Sequence, residues 1–408
     1  MATIIPFKAV RSKRDKVGLF ATRTYLSYSK KGLSEKLNNN PYTFLQIINP
    51  DFKEKSKLKG KNKFESIKEK YHSFLKQEIL FKEEKESLYI YCLNHEGFEY
   101  KGIIAATPTK EYEEGIIKKH EKTIKKRENI FTEYLSNIKF NADPVLLSHR
   151  SCDDINKLIN EFTLERPEYE FTTSNKALHR LWVVSNSSNI NKLVGRYKKI
   201  KSLYIADGHH RSASSNRLSK KGGPNYFMCF LIDEKKINVY SFHRSIKNLK
   251  KLNLLDLKDQ LSKKFDVKEV KTADFQTEEK NEILVYLHNK ILSIVPKKES
   301  YEENSISSLS YNILNKNIFE EIFNLNENSE EINYLNGKSS IQEILIQKEK
   351  QKEDSIIFFL KPIPINEIRK ISDKNLTLPP KSTYIEPKLR SGLTILDLKW
   401  FKKKIFLK

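Results

Sequence analysis

The stretch from Leu203 to Ser215 reads LYIADGHHRSASS and decides the local fold around it. Its first four residues are apolar and predict a β-strand. Asp207-Gly208 ends that strand, because glycine adopts backbone angles that other residues avoid. A helix is predicted to begin at His209 and to last to about Lys220, where Gly222-Gly223-Pro224 stops it. The stretch is therefore a strand–turn–helix corner.

The first turn of this helix carries groups that suit an anion. A helix that follows a glycine turn presents unpaired N–H groups and the positive end of its dipole. Arg211 can grip a phosphate with two hydrogen bonds, and Asp207 is placed to hold Mg²⁺ or to orient a histidine. We therefore favour a phosphate- or nucleotide-binding corner over the alternative, a helix cap followed by two surface histidines. A zinc site is less expected, because His209 and His210 are adjacent and no HExxH spacing is present.

A second polar segment runs from Gly115 to Glu128 and reads GIIKKHEKTIKKRE. At a helical period its apolar residues form one stripe that includes His120, so we expect a helix with His120 pointing inward. His120 or Glu121 would then reach an active site as a general base or a metal-binding carboxylate. The alternative is equally open: a hydrogen-bonded core histidine, with Glu121 paired to a lysine.

A third segment, LPPKSTYIEPKLRSG, starts at Leu378 and is cationic and rich in donors. Two adjacent prolines near its start stiffen it, and its polar residues include Lys381, Ser382, Lys388 and Arg390. It predicts either a loop that closes over a phosphate or a structural crossing loop.

The rest of the chain predicts alternating strands and helices without internal repeats. A β-hairpin is expected over SLYIYCLNHEGFEYKGIIAAT with its turn at Asn94 to Gly97, and a helix over ESIKEKYHSFLKQ. Asn40 to Pro50 is predicted to be a short strand between two Asn-Pro breakers. The polar stretch Glu234 to Lys236 predicts a hairpin between the strands that flank it. This order indicates an α+β (mixed α/β) fold, divided into a core over residues 1–250 and a C-terminal α/β portion over 251–408.

Composition limits the function classes only loosely. The 408 residues carry a net charge of +23, which suits a nucleic-acid partner, but the lysines are spread along the chain among glutamates, so we favour biased composition and leave nucleic acid as an open alternative. Cys92, Cys152 and Cys229 have no CxxC spacing and predict neither disulfides nor a zinc knuckle. No apolar run reaches the length of a membrane span or a signal peptide, so we expect a cytoplasmic protein.

Five motifs taken in order resemble one known family. They are Ile5-Pro6-Phe7-Lys8-Ala9, Asn-Pro…Phe-Leu, GxIxxHExT (115–123), YIADGHHR (204–211) and PPKSTYIEPKLRSG. Between about Ile5 and Thr394 the chain resembles the domain-of-unknown-function 1015 family. The DGHHR corner of that family is similar to the phosphate-binding turn of the ParB/sulfiredoxin-like fold, and some relatives that carry it are free L-serine kinases.

The resemblance implies a site and an activity. Gly208, His209, His210 and Arg211 would hold the phosphates of ATP or ADP, helped by Lys381 and Ser382 if their loop returns to the site. Asp207 would contact Mg²⁺ or the substrate. Glu121 would take the proton of a serine hydroxyl, with His120 positioning it or touching phosphate.

Two other functions remain as alternatives to this small-molecule kinase. One is a ParB-like, nucleotide-dependent DNA-binding module, and the other is a metal-dependent hydrolase that uses His209, His210, Asp207 and Glu121. The chain also departs from the family where Thr22, Arg23 and Thr24 replace a Pro-Tyr-Asp-type loop, which leaves the acceptor open.

Overall fold

The computed structural model describes residues 1–54, 57–248, 252–302, 306–326, 329–351, 354–379 and 381–399. Contacts divide the chain into two compact units. Unit 1 comprises Met1–Ile237 and Pro387–Lys408, and unit 2 comprises Asn238–Glu386. The division falls after Ile237 rather than at residue 250, and the C-terminal tail belongs to unit 1.

Strands and helices alternate along both units, in agreement with the predicted α+β class. In chain order the strands are β1 Ala9–Ser12, β2 Leu80–Lys82, β3 Leu88–His95, β4 Phe98–Pro108, β5 Ile117–Lys118, β6 Phe140–Asn141, β7 Val145–His149, β8 Tyr169–Thr172, β9 Leu178–Val184, β10 Leu203–Asp207, β11 Tyr226–Asp233, β12 Asn238–Tyr240, β13 Phe242–Lys247, β14 Phe265–Val270, β15 Ile283–Leu287, β16 Lys290–Pro296, β17 Asn333–Asn336, β18 Ser355–Leu360, β19 Tyr384–Glu386 and β20 Ile395–Asp397. The helices are α1 Val17–Phe20, α2 Lys30–Asn39, α3 Leu45–Ile48, α4 Gly60–Lys76, α5 Thr109–Glu113, α6 Lys125–Ile138, α7 Asp153–Phe162, α8 Ser187–Tyr197, α9 His209–Lys220, α10 Leu254–Ser262, α11 Ser310–Leu314, α12 Ile341–Gln351 and α13 Ile365–Asp373.

The main sheet of unit 1 has eight strands in the order β5-β10-β7-β11-β4-β3-β9-β8. The predicted hairpin is confirmed as β3 and β4, which pair in antiparallel register around Glu96 and Gly97, both at positive φ. Alternate residues of these strands, such as Ile90 and Ile103, are fully buried in a core of unit 1. Residues of α7 and α8 pack in the same core, so burial of apolar side chains holds helices against one face of the sheet.

The position of β10 within this sheet sets the geometry of the corner. β10 pairs in parallel with β5, Leu203 opposite Ile117 and Tyr204 opposite Lys118. It pairs antiparallel with β7, and the register shifts between Ile205 and Asp207. Such a bulge re-aims the side chain that follows it, and here that side chain is Asp207.

A smaller sheet and core in unit 1 receive the C-terminal tail. Its strand order is β2-β1-β20-β6, next to a cluster of buried aromatic residues that includes Phe20, Phe44 and Phe74. Gly392, just before β20, has a φ of +80°, and a Cβ there would lie 2.9 Å from the Phe20 ring. The glycine of the LRSG motif is therefore needed for the tail to pass these rings.

Unit 2 is built on a six-stranded sheet with the order β14-β16-β15-β18-β13-β17. Every pairing in it is antiparallel. α10, α11 and α13 contribute to the core that contains Phe358, and α12 packs beside Phe359 in a separate cluster. A second, two-stranded sheet joins β12 to β19. Across the described ranges of both units, no helix is long and apolar enough to span a bilayer.

Three predicted elements are wrong. Residues 45–48 form α3, not a strand, because a short apolar run does not distinguish the two structures. The chain does not turn back at Glu234 to Lys236: β11 pairs with β4 and β7, while β12 pairs with β19. The helix expected from Gly115 begins only at Lys125.

The backbone after Gly115 shows where the third prediction fails. Gly115 takes a φ of +73°, and Ile117 and Lys118 then form the edge strand β5. Ile124 and Phe131 are 47% and 38% exposed, so the supposed stripe is not one buried face. The expectation that His120 points inward is nevertheless correct, since this residue is 1% exposed.

Candidate functional site

The corner itself is formed by the end of β10, Gly208 and the start of α9. Gly208 has a φ of +100°, in the left-handed region that favours glycine. A Cβ at this position would lie 2.9 Å from both Nε and Nη2 of Arg211, because the arginine folds back over the glycine. α9 runs from His209 to Lys220 as predicted.

Asp207 is the carboxylate at the centre of the corner. Its Oδ2 accepts from Nη2 of Arg211 at 2.5 Å, and its Oδ1 accepts from Nζ of Lys388 at 2.5 Å. Burial by itself raises the pKa of Asp207, but Lys388 and Arg211 outweigh it and hold that pKa well below its ordinary range. Asp207 is therefore ionised at any physiological pH.

Arg211 is also fixed on its other side. Its Nη1 donates to the carbonyl oxygen of Pro144 at 2.5 Å, so Asp207 and Pro144 together orient the guanidinium. Of the guanidinium's five N–H groups these two bonds use two, and the side chain is 24% exposed. Donors therefore remain available on the exposed side for an anion.

Two buried histidines meet beside the corner. The rings of His120 and His209 lie edge to face with centroids 4.5 Å apart, and the His120 backbone N–H donates to Nε2 of His209 at 3.5 Å. Burial lowers the pKa of His120 to about 4, partly opposed by a hydrogen bond to the backbone of Ile205 and by Asp207. Burial and then His120 lower the pKa of His209 well below its ordinary value. Both rings are neutral at pH 7.

This meeting follows from the sheet. β5 and β10 are neighbouring parallel strands, so the residues that follow them leave the sheet at the same edge. His120 and Glu121 follow β5, and Gly208 and His209 follow β10. The two motifs are thus brought together, although His120 and His209 lie 89 positions apart in the sequence.

His210 faces a different set of residues. Its Nδ1 is buried and has no hydrogen-bond partner among the residues the structure describes. Burial and then Arg127 lower the pKa of this histidine, while Glu128 opposes them. Glu128 accepts a hydrogen bond from Thr123 and lies 3.9 Å from Arg217. As adjacent helix positions require, His209 and His210 point different ways.

The serines of α9 serve the packing of the helix. The hydroxyls of Ser212, Ser214 and Ser215 donate to carbonyl oxygens of the preceding turn. Ser214 Oγ also lies 3.2 Å from the Glu128 carbonyl oxygen, and Thr132 Oγ1 lies 3.3 Å from that of Ser214. These short side chains let α6 and α9 approach closely, which holds the start of α9 in place.

The remaining predicted residues lie in two places. Glu121 is half-buried in the loop directly after His120. Lys381 and Ser382 belong to unit 2, where Nη2 of Arg244 donates to the Lys381 carbonyl oxygen at 3.1 Å and Ser382 Oγ donates to that of Pro379. Their contact with phosphate stays a prediction, as do the roles of His120 and Glu121.

The residues at Asp207 do not fit a resident metal ion. Each of its oxygens already forms an ion pair with a cation. Over the described part of the chain, no group of three or more His, Cys, Asp or Glu side chains is placed to hold a metal. The geometry therefore offers no support for Mg²⁺ coordinated by Asp207 or for the metal-dependent hydrolase.

Lys388 is the site residue whose contact the sequence did not reveal. It stood out only as one of several cations in the tail motif, 181 residues from Asp207. No sequence signal could have indicated the contact between Arg211 and the Pro144 carbonyl oxygen, since every residue has a backbone carbonyl. A covariation between the DGHHR and PKLRSG motifs is the kind of signal that would have indicated the Lys388–Asp207 pair.

The fold and the corner define a mixed α+β protein with a cationic turn at the edge of its largest sheet. The chain belongs to the family described as "Protein of unknown function (DUF1015)", whose model matches residues 4–316. A comparison with curated proteins finds no match.

Several solved structures are similar to the chain at low identity. A free serine kinase in which a glutamate is replaced by alanine, in complex with ADP, is 15% identical, with 73% of this chain and 93% of that chain covered and a TM-score of 0.39. Free serine kinase in complex with AMP is 16% identical, covers 73% and 93%, and has a TM-score of 0.38. SbnI with a C-terminal truncation, from Staphylococcus aureus, is 12% identical over 74% and 89%, with a TM-score of 0.41.

Proposed function

We propose that the chain is a nucleotide-dependent kinase of a small molecule, with ATP or ADP as donor and the hydroxyl of free L-serine as leading acceptor. The observation that carries the proposal is the meeting of two motifs at one sheet edge. The Gly208–Arg211 turn offers cationic and N–H donors, and the loop that holds Glu121 begins beside it, because His120 contacts His209. A phosphate cradle and a carboxylate base are two of the parts that phosphoryl transfer uses.

Each residue has a defined task in this proposal. Gly208 keeps the turn clear of a side chain, and Arg211 with the first N–H groups of α9 binds the nucleotide phosphates. Glu121 accepts the proton of the acceptor hydroxyl while the hydroxyl oxygen forms a bond to the terminal phosphorus of the nucleotide. The bond from that phosphorus to the bridging oxygen breaks, so the shortened nucleotide leaves with the electron pair. No step is assigned to a metal held by Asp207.

The test is an incubation of the purified chain with ATP or ADP, Mg²⁺ and a pool of amino acids, followed by mass spectrometry. We expect phosphoserine that depends on the nucleotide. Glu121→Gln should lower kcat by about 10²–10⁴-fold without weakening nucleotide binding. Glu133→Gln, on the exposed side of α6, is the matched control and should change neither quantity. The absence of a phosphorylated product with either nucleotide would contradict the kinase proposal.

One observation, the net charge of +23, favours a second candidate, the ParB-like DNA-binding module. It predicts DNA binding whose affinity falls steeply with salt. Fluorescence anisotropy of a labelled duplex at 50 and 200 mM salt, with and without nucleotide, measures this. Binding that is equally weak at both salt concentrations would dismiss the DNA candidate.

A further inference from the structure

Two cations bond to Asp207, and the single negative charge of this carboxylate neutralises only one of them. Arg211 and Lys388 each bond one of its oxygens, and the three side chains are 24–39% exposed. The two neighbouring histidines are neutral, so the group of Asp207, Arg211 and Lys388 keeps one net positive charge. An anion that enters the corner therefore meets an attractive potential before any contact forms.

The two cations differ in the stiffness of their side chains. The Arg211 guanidinium is bound on both sides, by Asp207 and by the Pro144 carbonyl oxygen. Lys388 carries a compact charge on a flexible four-carbon stem. Its backbone is anchored nearby, since Ser391 exchanges two backbone hydrogen bonds with Thr22, and the Gly392 N–H donates to Ala142. The tail thus fixes where the Lys388 side chain starts, while its ammonium can swing.

A metal ion and Lys388 would compete at the same carboxylate. Each oxygen of Asp207 accepts one hydrogen bond and has a second lone pair, but a divalent cation there would sit directly beside the Lys388 ammonium or the Arg211 guanidinium. Repulsion between these like charges opposes metal binding unless one of the two side chains moves away. Mg²⁺ in proteins takes one or two carboxylates plus water and phosphate oxygens. In this chain Lys388 already supplies a positive charge at Oδ1.

We propose that Lys388 is the resident counter-cation of Asp207, that it keeps metal ions off this carboxylate, and that it turns to the phosphates when a nucleotide enters. The phosphate contact rests on the proposed function, whereas the exclusion of metal does not. Any divalent cation in the reaction then arrives with the nucleotide.

The metal half is tested with Mn²⁺ alone, by electron paramagnetic resonance on the full chain without nucleotide. We expect the wild-type chain to bind no Mn²⁺ at Asp207. The Asp207→Asn variant should therefore bind the same amount of Mn²⁺ as the wild-type chain. One equivalent of tightly bound Mn²⁺ in the wild-type chain, lost in Asp207→Asn, would overturn the exclusion and leave the kinase proposal standing.

The phosphate half is tested by calorimetric titration with ADP and ATP. Lys388→Met should weaken binding by about 10–100-fold, the usual effect of losing a charged hydrogen bond, and Lys388→Arg should restore part of it. Lys82→Met is the matched control: Lys82 pairs with Asp397 at 3.2 Å, and its side chain is 43% exposed against 39% for Lys388.

The outcomes separate the two proposals. Equal affinity of Lys388→Met and Lys82→Met, with normal wild-type binding, would end the Lys388 assignment but not the nucleotide site. No nucleotide binding by the wild-type chain would end the proposed function and the phosphate half together, and the Mn²⁺ result would still decide the metal half. Thermal unfolding of each variant confirms that the compared chains are folded.

Discussion

The eight-stranded sheet of unit 1 carries one histidine and one aspartate at each of two opposite edges, where its strands end. Different groups stabilise the charge of the aspartate at the two edges. At one edge, the ends of β5 and β10 present His120 and Asp207. At the other, the ends of β7 and β11 present His149 and Asp233, which are directly paired in the register. β7 runs antiparallel to β10, which places these ends on opposite edges.

The Asp233 edge is a closed network of neutral donors. Asp233 is 3% exposed and accepts from Ser151, Asn156 and the backbone N–H of Lys235. These bonds outweigh the effect of burial and lower its pKa. Nδ1 of His149 donates to the Arg150 carbonyl oxygen, and Nε2 accepts from Tyr197.

At the Asp207 edge, cations rather than neutral donors surround the carboxylate. Neutral hydrogen bonds from Ser151, Asn156 and the Lys235 backbone satisfy Asp233 without adding positive charge. Asp207 is paired with two cations, Arg211 and Lys388, so this group of three side chains carries a net positive charge. The same residue types therefore have different consequences, and the partners of the carboxylate decide which.

The largest expected effect concerns the buried histidines. The unfolded chain binds a proton at His120 below pH 6.5, whereas the folded chain does so only near pH 4. Stability is therefore complete above pH 6.5 and falls as the pH drops toward 4, by about 3 kcal/mol for this residue. His120→Gln should flatten this slope, measured by urea unfolding from pH 4 to 7.5. Burial also lowers the pKa of His149, so His149→Gln should likewise flatten the dependence of stability on pH. An unchanged slope in both variants would contradict the conclusion that these histidines are neutral in the folded chain.

The aspartates should separate the two edges. Asp207→Asn leaves Arg211 and Lys388 without the carboxylate that they share, and should lower the free energy of unfolding at pH 7 by about 2 kcal/mol. The loss is smaller than for a fully buried ion pair, because these side chains are partly exposed to solvent. Because the folded pKa of Asp207 is depressed, its contribution is present above about pH 4 and is lost as the pH falls further, so the variant and wild type should converge toward pH 2.

Asp233→Asn is the partner experiment and should cost about 1 kcal/mol. It should leave nucleotide affinity unchanged, whereas Asp207→Asn should alter it. Urea unfolding and ADP titration measure both. A loss of nucleotide binding in Asp233→Asn equal to that in Asp207→Asn would erase the distinction between the edges.

An effect of similar size is expected at the Gly208 turn. Gly208→Ala forces a φ of +100° on a residue with a Cβ and pushes that atom against Arg211, which should cost about 1–2 kcal/mol. Gly195→Ala, in α8 with nothing within 4 Å of its Cβ, should instead stabilise the chain by about 0.5–1 kcal/mol. Thermal unfolding compares them; destabilisation of equal size in both would contradict a special role for the Gly208 turn.

Local sequence predicted those elements that local physics determines. The corner from β10 through Gly208 to α9, the β3–β4 hairpin and the long helix α4 each carry their own start, period and stop signals, and the structure confirms them. The segment from Gly115 to Thr123 was predicted wrongly, because its apolar spacing is compatible with both a helix and an edge strand. Only the pairing of Ile117 with Leu203 decides between them.

By itself the sequence determined the family, the mixed fold class and the strand–turn–helix form of the DGHHR corner, since these depend on residue types at fixed short spacings. The tertiary structure decided that His120 touches His209, that Lys388 neutralises Asp207, and that the tail belongs to unit 1. Those contacts join residues 89 and 181 positions apart. Sequence spacing carries no information on such pairs, because strand order in the sheet and the path of the tail set them.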